Sequence, residues 1–284
     1  MIDIETIELQ IQNQESLVLN LRPQIKKKIL WAAKPNIKTK ISLVFIHGFS
    51  ATRAELSPVI EILSKMLKAN VFFTRLKGHG QDGKSLGDAS FTDWMKDTHE
   101  AIDIGKVLGD EIILIGSSTG CSLIHASLEG VNNIKAAVYV SPNFGSSSFL
   151  GKLLIIPGAK LFMPLLFGKE YSFVAKNSEH ERCWTTSYPF KALFAVKDSV
   201  VAAQKVTHSS IKIPVMFWFS DDDQVVSAAA TRKIIAKMGN NASTHNPTLT
   251  TEDDSSKHGI LGDILSASQT KKGVSKIINW ITRI

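Results

Sequence analysis

The sequence predicts an α/β fold with a mostly parallel central sheet covered by helices on both faces. From residue 41 onward, short apolar runs alternate with helix-like stretches, which is the order expected when parallel strands are joined by helices. The runs are mainly apolar, without a regular alternation of polar residues, as is typical of strands that are buried on both faces. The chain has 284 residues, of which 44% are hydrophobic, so it is long enough for one large domain of this kind.

The elements follow in chain order. Residues 6–11 and 29–33 are predicted as antiparallel edge strands, and residues 41–46 as a fully apolar strand. Ser57 and Pro58 suit the start of the first helix, with serine as the cap and proline at the first helical position. The remaining predicted elements are strands at 70–74, 111–115, 136–140 and 215–219 and helices at 91–108, 121–129 and 271–284.

A turn rich in glycine and serine separates the strand at 111–115 from the next helix. It reads Gly116-Ser117-Ser118-Thr119-Gly120, and only Ser118 has glycine two positions before and two positions after it. A sharp turn from strand to helix exposes one serine hydroxyl, and the glycines remove Cβ atoms that would collide there. The helix start also favours an anion. We therefore interpret Ser118 as a candidate nucleophile, the alternative being an ordinary strand–helix turn.

A second loop with a glycine opens where the strand at 41–46 ends. It reads His47-Gly48-Phe49-Ser50, and ligands of open α/β sheets bind at this edge. Acyl transfer needs two donors aimed at the developing oxyanion. The backbone N–H groups of Phe49 and Thr119 are the natural pair, since Gly48 lets the chain bend close. His47 precedes the turn and is interpreted as structural.

A general base and a carboxylate are expected later in the chain. The strand at 215–219 leads into Asp221, Asp222 and Asp223, and these three cannot all serve. His258 lies well beyond them, shortly before the C-terminal helix, and is the candidate base. His245 lies in a turn rich in Asn, Ser, Thr and Pro and is predicted to be a solvated loop residue. An imidazole activates a serine hydroxyl by accepting its proton, and a carboxylate holds the ring in the required tautomer.

Together these motifs resemble those of the α/β-hydrolase superfamily in order and approximate spacing. The resemblance covers about residues 40–284 and includes the turn at 78–80, in which His79 is interpreted as structural. The branch that the chain is most similar to contains monoacylglycerol lipases, lysophospholipases and bacterial carboxylesterases. The serine at position 118, in the turn between strand and helix, disfavours the superfamily members that use an aspartate nucleophile at that position.

The resemblance also ranks the three acids. In this branch the acid begins an Asp-x-hydrophobic-hydrophobic pattern, which the run from Asp223 fits better than Asp221 or Asp222 does. The resemblance therefore implies a catalytic triad of Ser118, Asp223 and His258.

The alternation of strands and helices breaks between residues 141 and 213, where no buried strand is predicted. The resemblance implies that this segment is a small helical cap inserted into a core domain of residues 1–140 and 214–284. Its apolar runs at 149–157 and 161–167 are interrupted by Lys, Gly and Pro, at about half of the roughly 20 residues that cross a membrane. Beyond ordinary packing, one cap face is expected to line an apolar acyl pocket, since small-molecule sites are mainly hydrophobic.

Charge and cysteine content restrict the partners and the compartment. The net charge is +7 and the pI near 9.3, but the lysines are scattered, and the tight cluster Lys26-Lys27-Lys28 leads into a predicted edge strand, where lysines block edge pairing. Nucleic acid is therefore not a predicted partner, whereas weak contact with an anionic lipid surface stays possible. Cys121 and Cys183 do not suggest a disulfide framework. The acidic start lacks the pattern of a secretory signal, which predicts a cytoplasmic location.

These observations predict a serine hydrolase that cleaves carboxylic esters with a hydrophobic acyl group through an acyl-enzyme. The predicted partner is a small ester or lipid-like molecule, and no metal or organic cofactor is implied. The rival functions are an acyltransferase, a hydrolase of amide or carbon–carbon bonds on the same residues, and a binding protein, because a fold does not fix a function. The physiological ester and the oligomeric state are left open.

Overall fold

A mostly parallel sheet forms the centre of the protein in a computed structural model that describes residues 2–148, 151, 154, 158, 159, 162, 163 and 168–284. Within these residues the central sheet has seven strands: β1 (Lys28–Leu30), β2 (Thr39–Ile46), β3 (Asn70–Phe73), β4 (Gly109–Ser117), β5 (Ile134–Val140), β8 (Val215–Trp218) and β9 (Ala242–His245). Two short strands, β6 (Glu170–Ser172) and β7 (Ser187–Pro189), form a separate antiparallel pair.

The strand order in the central sheet is β1-β3-β2-β4-β5-β8-β9, and only β1 runs antiparallel to its neighbour. The pairing of β2 with β4 places Ile46 opposite Gly116. Because the two strands are parallel and end at the same height, the loops that begin at His47 and Ser118 open side by side at one edge of the sheet.

Helices cover both faces of this sheet. The described helices are α1 (Ile7–Ser16), α2 (Val59–Leu67), α3 (Gly83–Asp88), α4 (Phe91–Leu108), α5 (Thr119–Ser127), α6 (Ser178–Cys183), α7 (Ala192–Lys205), α8 (Ala228–Met238) and α9 (Asp263–Ile281). Residues of α1, α4, α5, α7 and α8 pack in one core layer, and residues of α2 and α9 pack in the other. On β2, Val44 and Ile46 belong to the first layer and Leu43 and Phe45 to the second. Burial on both faces explains why the second half of this strand, residues 43–46, is apolar.

The prediction of a parallel sheet between two helical layers is confirmed, and so are the bounds of α4. β1 is an edge strand, as predicted. The strand predicted at 6–11 is wrong, because this segment lies within helix α1. Its buried residues are Ile7, Ile11 and Glu15, a spacing of four that puts them on one helical face. The C-terminal helix begins at Asp263, earlier than predicted.

Two further predictions need correction. Helix α2 begins at Val59, with Pro58 at the cap position, and the Ser57 hydroxyl donates to Glu61 Oε1 at 3.1 Å instead of capping the helix. His245 is not a solvated loop residue, because it ends strand β9 and its ring lies 4.3 Å from that of Trp218. The polar sequence of β9 hides the strand, since an edge strand has one neighbour and needs few apolar side chains.

The segment predicted as a cap is described in part. Most of its apolar runs at 149–157 and 161–167 lie outside the described residues, but Leu154 and Met163 are buried against Phe190 and Phe194. Helix α7, near the end of the segment, packs against α5 of the core. The boundaries of the cap and the cytoplasmic location stay predictions. In the described part of the chain, no helix is both long and apolar enough to cross a bilayer.

Candidate active site

Ser118 lies at a sharp turn between β4 and α5. Its backbone has φ 49° and ψ −114°, a positive-φ conformation that costs a non-glycine residue about 1–3 kcal/mol. The flanking glycines allow the turn. A Cβ at Gly116 would lie 2.8 Å from the backbone nitrogen of Cys121, and a Cβ at Gly120 would lie 2.1 Å from the carbonyl oxygen of Ile46. The two glycines thus permit the sharp turn at Ser118, because each lies where two backbone segments touch.

A hydrogen-bonded chain links Ser118 to a carboxylate through His258. The His258 Nε2 atom lies 3.0 Å from Ser118 Oγ, and Nδ1 lies 2.8 Å from Asp223 Oδ2. The other oxygen of Asp223 accepts the N–H groups of Val225 and Val226 at 2.8 and 2.9 Å. A carboxylate only accepts, so Nδ1 carries the imidazole proton and Nε2 accepts from the serine hydroxyl.

The structure separates the three successive acids. Asp221 accepts two hydrogen bonds from Arg232, at 2.7 and 2.5 Å, and a third from Asn246 at 2.6 Å. Asp222 is exposed. Of the three acids, only Asp223 contacts His258.

The pKa of His258 is set by opposing effects. Burial by itself lowers it, but the charge and hydrogen bond of Asp223 raise it, and the charge of Glu55 adds to this increase. Lys176 opposes them weakly, and the net result is a pKa above the ordinary value for histidine. The imidazole therefore attracts a proton more strongly than a free histidine does.

The two amides predicted to bind an oxyanion belong to Phe49 and Thr119. Among the residues that the structure describes, neither N–H group donates a hydrogen bond, so both are available to a ligand. Gly48 brings the first loop against the nucleophile, because a Cβ there would lie 3.2 Å from Ser118 Cβ and 2.8 Å from Glu55 Oε1. The N–H of Gly48 donates to Glu55 Oε2 at 2.7 Å.

His47 and His79 lie beside the site as structural residues. The Nδ1 atom of His47 is 2.9 Å from the carbonyl oxygen of Gly48, and Nε2 is 3.1 Å from the backbone nitrogen of Leu76. Both ring nitrogens are thus occupied. His79 is fully buried against the rings of His47 and Trp94. Burial lowers the pKa of His47 to about 4 and that of His79 well below its ordinary value, so both rings are neutral near pH 7.

Glu55 belongs to the site but was not predicted from the sequence. It lines the cavity beside Ser118 and accepts hydrogen bonds from Gly48 and Ser117. Burial raises its pKa, against the opposing effects of these hydrogen bonds and of the His258 charge. A glutamate in a polar loop before a helix has the local pattern of an exposed residue, so only its three-dimensional position identifies it.

A cavity of about 470 Å³ opens onto Ser118 and His258. Its lining is mainly apolar and includes Phe49, Leu154, Phe173, Trp184, Tyr188, Leu193, Val196, Val200, Val226 and Leu261. Within the described residues, no group of three or more His, Cys, Asp or Glu side chains is placed to hold a metal ion. The arrangement can therefore bind an apolar molecule with its polar end at the serine.

Comparison with known proteins identifies the family of this chain. Residues 37–249 match the family described as serine aminopeptidase, S33. No curated protein sequence matches the chain. A structure from work on the metagenome-derived lipolytic enzymes LipS and LipT aligns with a TM-score of 0.74 and 16% identity, over 93% of this chain and 100% of that chain.

Two monoacylglycerol lipase structures also align. The enzyme from Paleococcus ferrophilus has a TM-score of 0.64 and 15% identity over 91% of this chain and 98% of that chain. A soluble variant of the monoglyceride lipase from Saccharomyces cerevisiae, bound to a substrate analog, has a TM-score of 0.66 and 13% identity over 91% and 90%. At these identities the similarity shows the fold alone. The family match and this fold together show that the chain belongs to the serine aminopeptidase S33 family and is a serine hydrolase with the α/β-hydrolase fold.

Proposed function

We propose that this protein hydrolyses carboxylic esters with a hydrophobic acyl group through an acyl-enzyme on Ser118. The observation that carries the proposal is the hydrogen-bonded chain of Ser118, His258 and Asp223, which opens onto an apolar cavity. This chain provides a nucleophile, a base in contact with it and a carboxylate that orients the base.

The proposed reaction has two stages. In the first, His258 Nε2 takes the hydroxyl proton as Ser118 Oγ bonds to the ester carbonyl carbon, and the N–H groups of Phe49 and Thr119 hold the oxyanion. His258 then gives the proton to the leaving alcohol as the ester C–O bond breaks. In the second stage a water molecule, deprotonated by His258, attacks the acyl-enzyme, and the proton returns to Ser118 as the carboxylic acid leaves.

The substrate class follows from the cavity. An acyl chain gains about 25 cal/mol for each Å² of apolar surface that it buries, and the lining around Ser118 is mainly aliphatic and aromatic. A charged acyl group would lose its hydration there, and most of the lining offers no polar partner in exchange. Esters with an aliphatic acyl chain are therefore the favoured substrates.

One observation favours a second candidate, hydrolysis of an aminoacyl amide. The Glu55 carboxyl lines the same cavity next to Ser118, and a carboxylate in that position attracts the ammonium group of a substrate with a free amine. The description of the matched family as serine aminopeptidases agrees with such a reaction. The apolar character of the remaining lining makes the ester the first choice.

A labelling experiment tests the nucleophile. A fluorophosphonate probe should add once to the wild-type protein and once to Ser117→Ala, and should not add to Ser118→Ala, as read by intact mass. Turnover should fall by roughly 10⁴- to 10⁶-fold in Ser118→Ala. Label and activity that survive in a folded Ser118→Ala variant would overturn the proposal, and an unlabelled wild-type protein would favour a binding protein instead.

A substrate panel tests the bond and the acyl group. We expect p-nitrophenyl esters of medium or long acyl chain to give a higher kcat/KM than aminoacyl p-nitroanilides. Glu55→Gln is the matched variant, because it keeps the side-chain shape but removes the charge. If anilides are cleaved faster than esters and Glu55→Gln abolishes this preference, the second candidate replaces the first.

A further inference from the structure

The loop that carries His258 is folded around one buried carboxylate, that of Asp254. Its Oδ2 atom accepts the backbone N–H of His258 at 3.1 Å, the backbone N–H of Gly259 at 2.7 Å and the hydroxyl of Ser256 at 2.6 Å. Its Oδ1 atom accepts the N–H of Ser256 at 3.2 Å. The residue is 4% exposed, so water cannot replace these bonds, and the loop depends on this side chain for its shape.

A second set of hydrogen bonds holds the two ends of the same loop. The hydroxyl of Ser266 accepts the N–H of Asp254 at 2.9 Å and donates to the carbonyl oxygen of Gly259 at 2.7 Å. Ser266 is fully buried and is the residue of α9 with non-helical dihedral angles. The hydroxyl of Ser141 donates to the carbonyl oxygen of His258 at 2.6 Å. The backbone of His258 is thereby held from both sides.

A cation from the β6–α6 segment neutralises the carboxylate. Lys176 Nζ forms an ion pair with Asp254 Oδ1 and lies 3.0 Å from Ser255 Oγ. The neighbouring Asn177 donates from Nδ2 to the carbonyl oxygen of Ile264 in α9 at 2.8 Å. A buried carboxylate without a counter-charge is unfavourable, so Lys176 both stabilises the loop and connects it to the segment predicted as the cap.

We infer that Asp254, braced by Ser266, is a positioning residue that holds His258 in register with Ser118, and that Lys176 couples this loop to the predicted cap. The inference rests on the proposed function. Asp254 contacts the backbone of His258 and none of the groups that react, so it acts through the histidine. The 3.0 Å distance between His258 Nε2 and Ser118 Oγ is sensitive to its loss, since a displacement of about 1 Å can cost about 100-fold in rate.

The test compares two substitutions of Asp254. Asp254→Ala removes every acceptor of the side chain. We expect kcat to fall by about 10- to 100-fold and KM to change less, because Asp254 is one polar residue of a cavity whose mainly apolar lining is retained. Asp254→Asn keeps an amide oxygen that can accept the two backbone N–H groups, so it should restore most of kcat. The rate of fluorophosphonate labelling should follow kcat in both variants, because it reports on the activated serine without an ester substrate.

Lys176 is tested against a matched ion pair. Lys176→Met should lower kcat by roughly 2- to 5-fold, the range expected when a partly exposed ion pair is lost. Lys191→Met is the control, since Lys191 forms an exposed ion pair with Asp88 at 2.6 Å, a partner outside the histidine loop, and it should leave kcat unchanged. Equal effects of the two substitutions would contradict the coupling.

The outcomes separate this inference from the proposed function. A wild-type protein that is neither labelled nor active overturns the proposed function. An active wild-type protein beside a folded Asp254→Ala variant with normal kcat overturns the inference alone, and so do equal losses in Asp254→Ala and Asp254→Asn. If Asp254→Ala does not fold, Ser266→Ala loosens the same loop without touching a charge, and a folded Ser266→Ala variant with normal kcat and labelling rate overturns the inference.

Discussion

Replacing Asp223 by asparagine tests the electrostatics of the site at nearly constant shape. The Oδ1 atom of Asp223 accepts the N–H groups of Val225 and Val226, and Oδ2 faces His258 Nδ1 at 2.8 Å. In Asp223→Asn, the amide oxygen satisfies the two N–H donors, so the NH₂ group must face the imidazole. Because that group only donates, His258 must accept at Nδ1 and carry its proton on Nε2, which points at Ser118.

The magnitude follows from the tautomer. With a proton on Nε2, the imidazole cannot accept the hydroxyl proton of Ser118, and loss of the Asp223 charge also lowers the pKa of His258. The corresponding exchange in a serine protease triad reduces kcat by about 10⁴-fold. This equals about 5.4 kcal/mol of transition-state stabilisation at about 1.36 kcal/mol for each factor of ten.

The assay uses the neighbouring acids as controls. Turnover of a short-chain p-nitrophenyl ester is measured near pH 8 for each single Asn variant of Asp221, Asp222 and Asp223, and thermal melts check folding. Asp221→Asn breaks an exposed pair with Arg232, which should change stability by less than about 1 kcal/mol and leave turnover intact. A folded Asp223→Asn enzyme within about tenfold of wild-type turnover would refute the reasoning. An inactive Asp221 or Asp222 variant beside it would move the acid upstream.

Three other perturbations test neighbouring features. Phe49→Pro deletes the backbone N–H and should reduce kcat/KM by an amount equivalent to about 3 kcal/mol. Phe49→Leu keeps this donor and should keep most of the activity. Similar activity of the two folded variants would show that this amide does not bind the oxyanion. The charge of Glu55 raises the pKa of His258, so Glu55→Gln should move the acid limb of the kcat/KM profile to lower pH, and a shift to higher pH would contradict this. Burial lowers the pKa of His125 from 6.5 to about 3, so below pH 6.5 this residue binds a proton in the unfolded chain that it does not bind in the folded one. The contribution of this histidine to stability, fully present above that pH, therefore falls by about 2 kcal/mol at about pH 5. Urea unfolding near pH 7.5 and pH 5 checks the sign, and a folded His125→Gln variant should lose less stability than the wild type.

Local sequence patterns predicted much of the fold and part of the candidate site. The glycines around Ser118 lie where backbone segments touch, and the positions of such glycines can be read directly from the sequence. The amphipathic period of α4 and the apolar runs of the buried strands are also local, so these elements follow from the residues alone. The prediction from sequence failed at α1, where Ile7, Leu9 and Ile11 alternate with polar residues as they would in a strand. It also failed at β9, whose edge position permits a polar composition.

Contacts between distant segments were decided only by the tertiary structure. Successive acids have nearly the same local sequence, and the turn after β8 determines that Asp223 faces His258 while Asp221 faces Arg232. Glu55 and Asp254 resemble surface acids in sequence, yet folding buries Asp254, places Glu55 in the lining of the cavity beside Ser118, and gives both of them backbone donors. A charge in a low-dielectric environment interacts strongly with whatever lies next to it. The effect of such a charge therefore depends on neighbours that the sequence spacing does not specify. The backbone turn that holds Ser118 depends instead on glycines whose positions the sequence does specify.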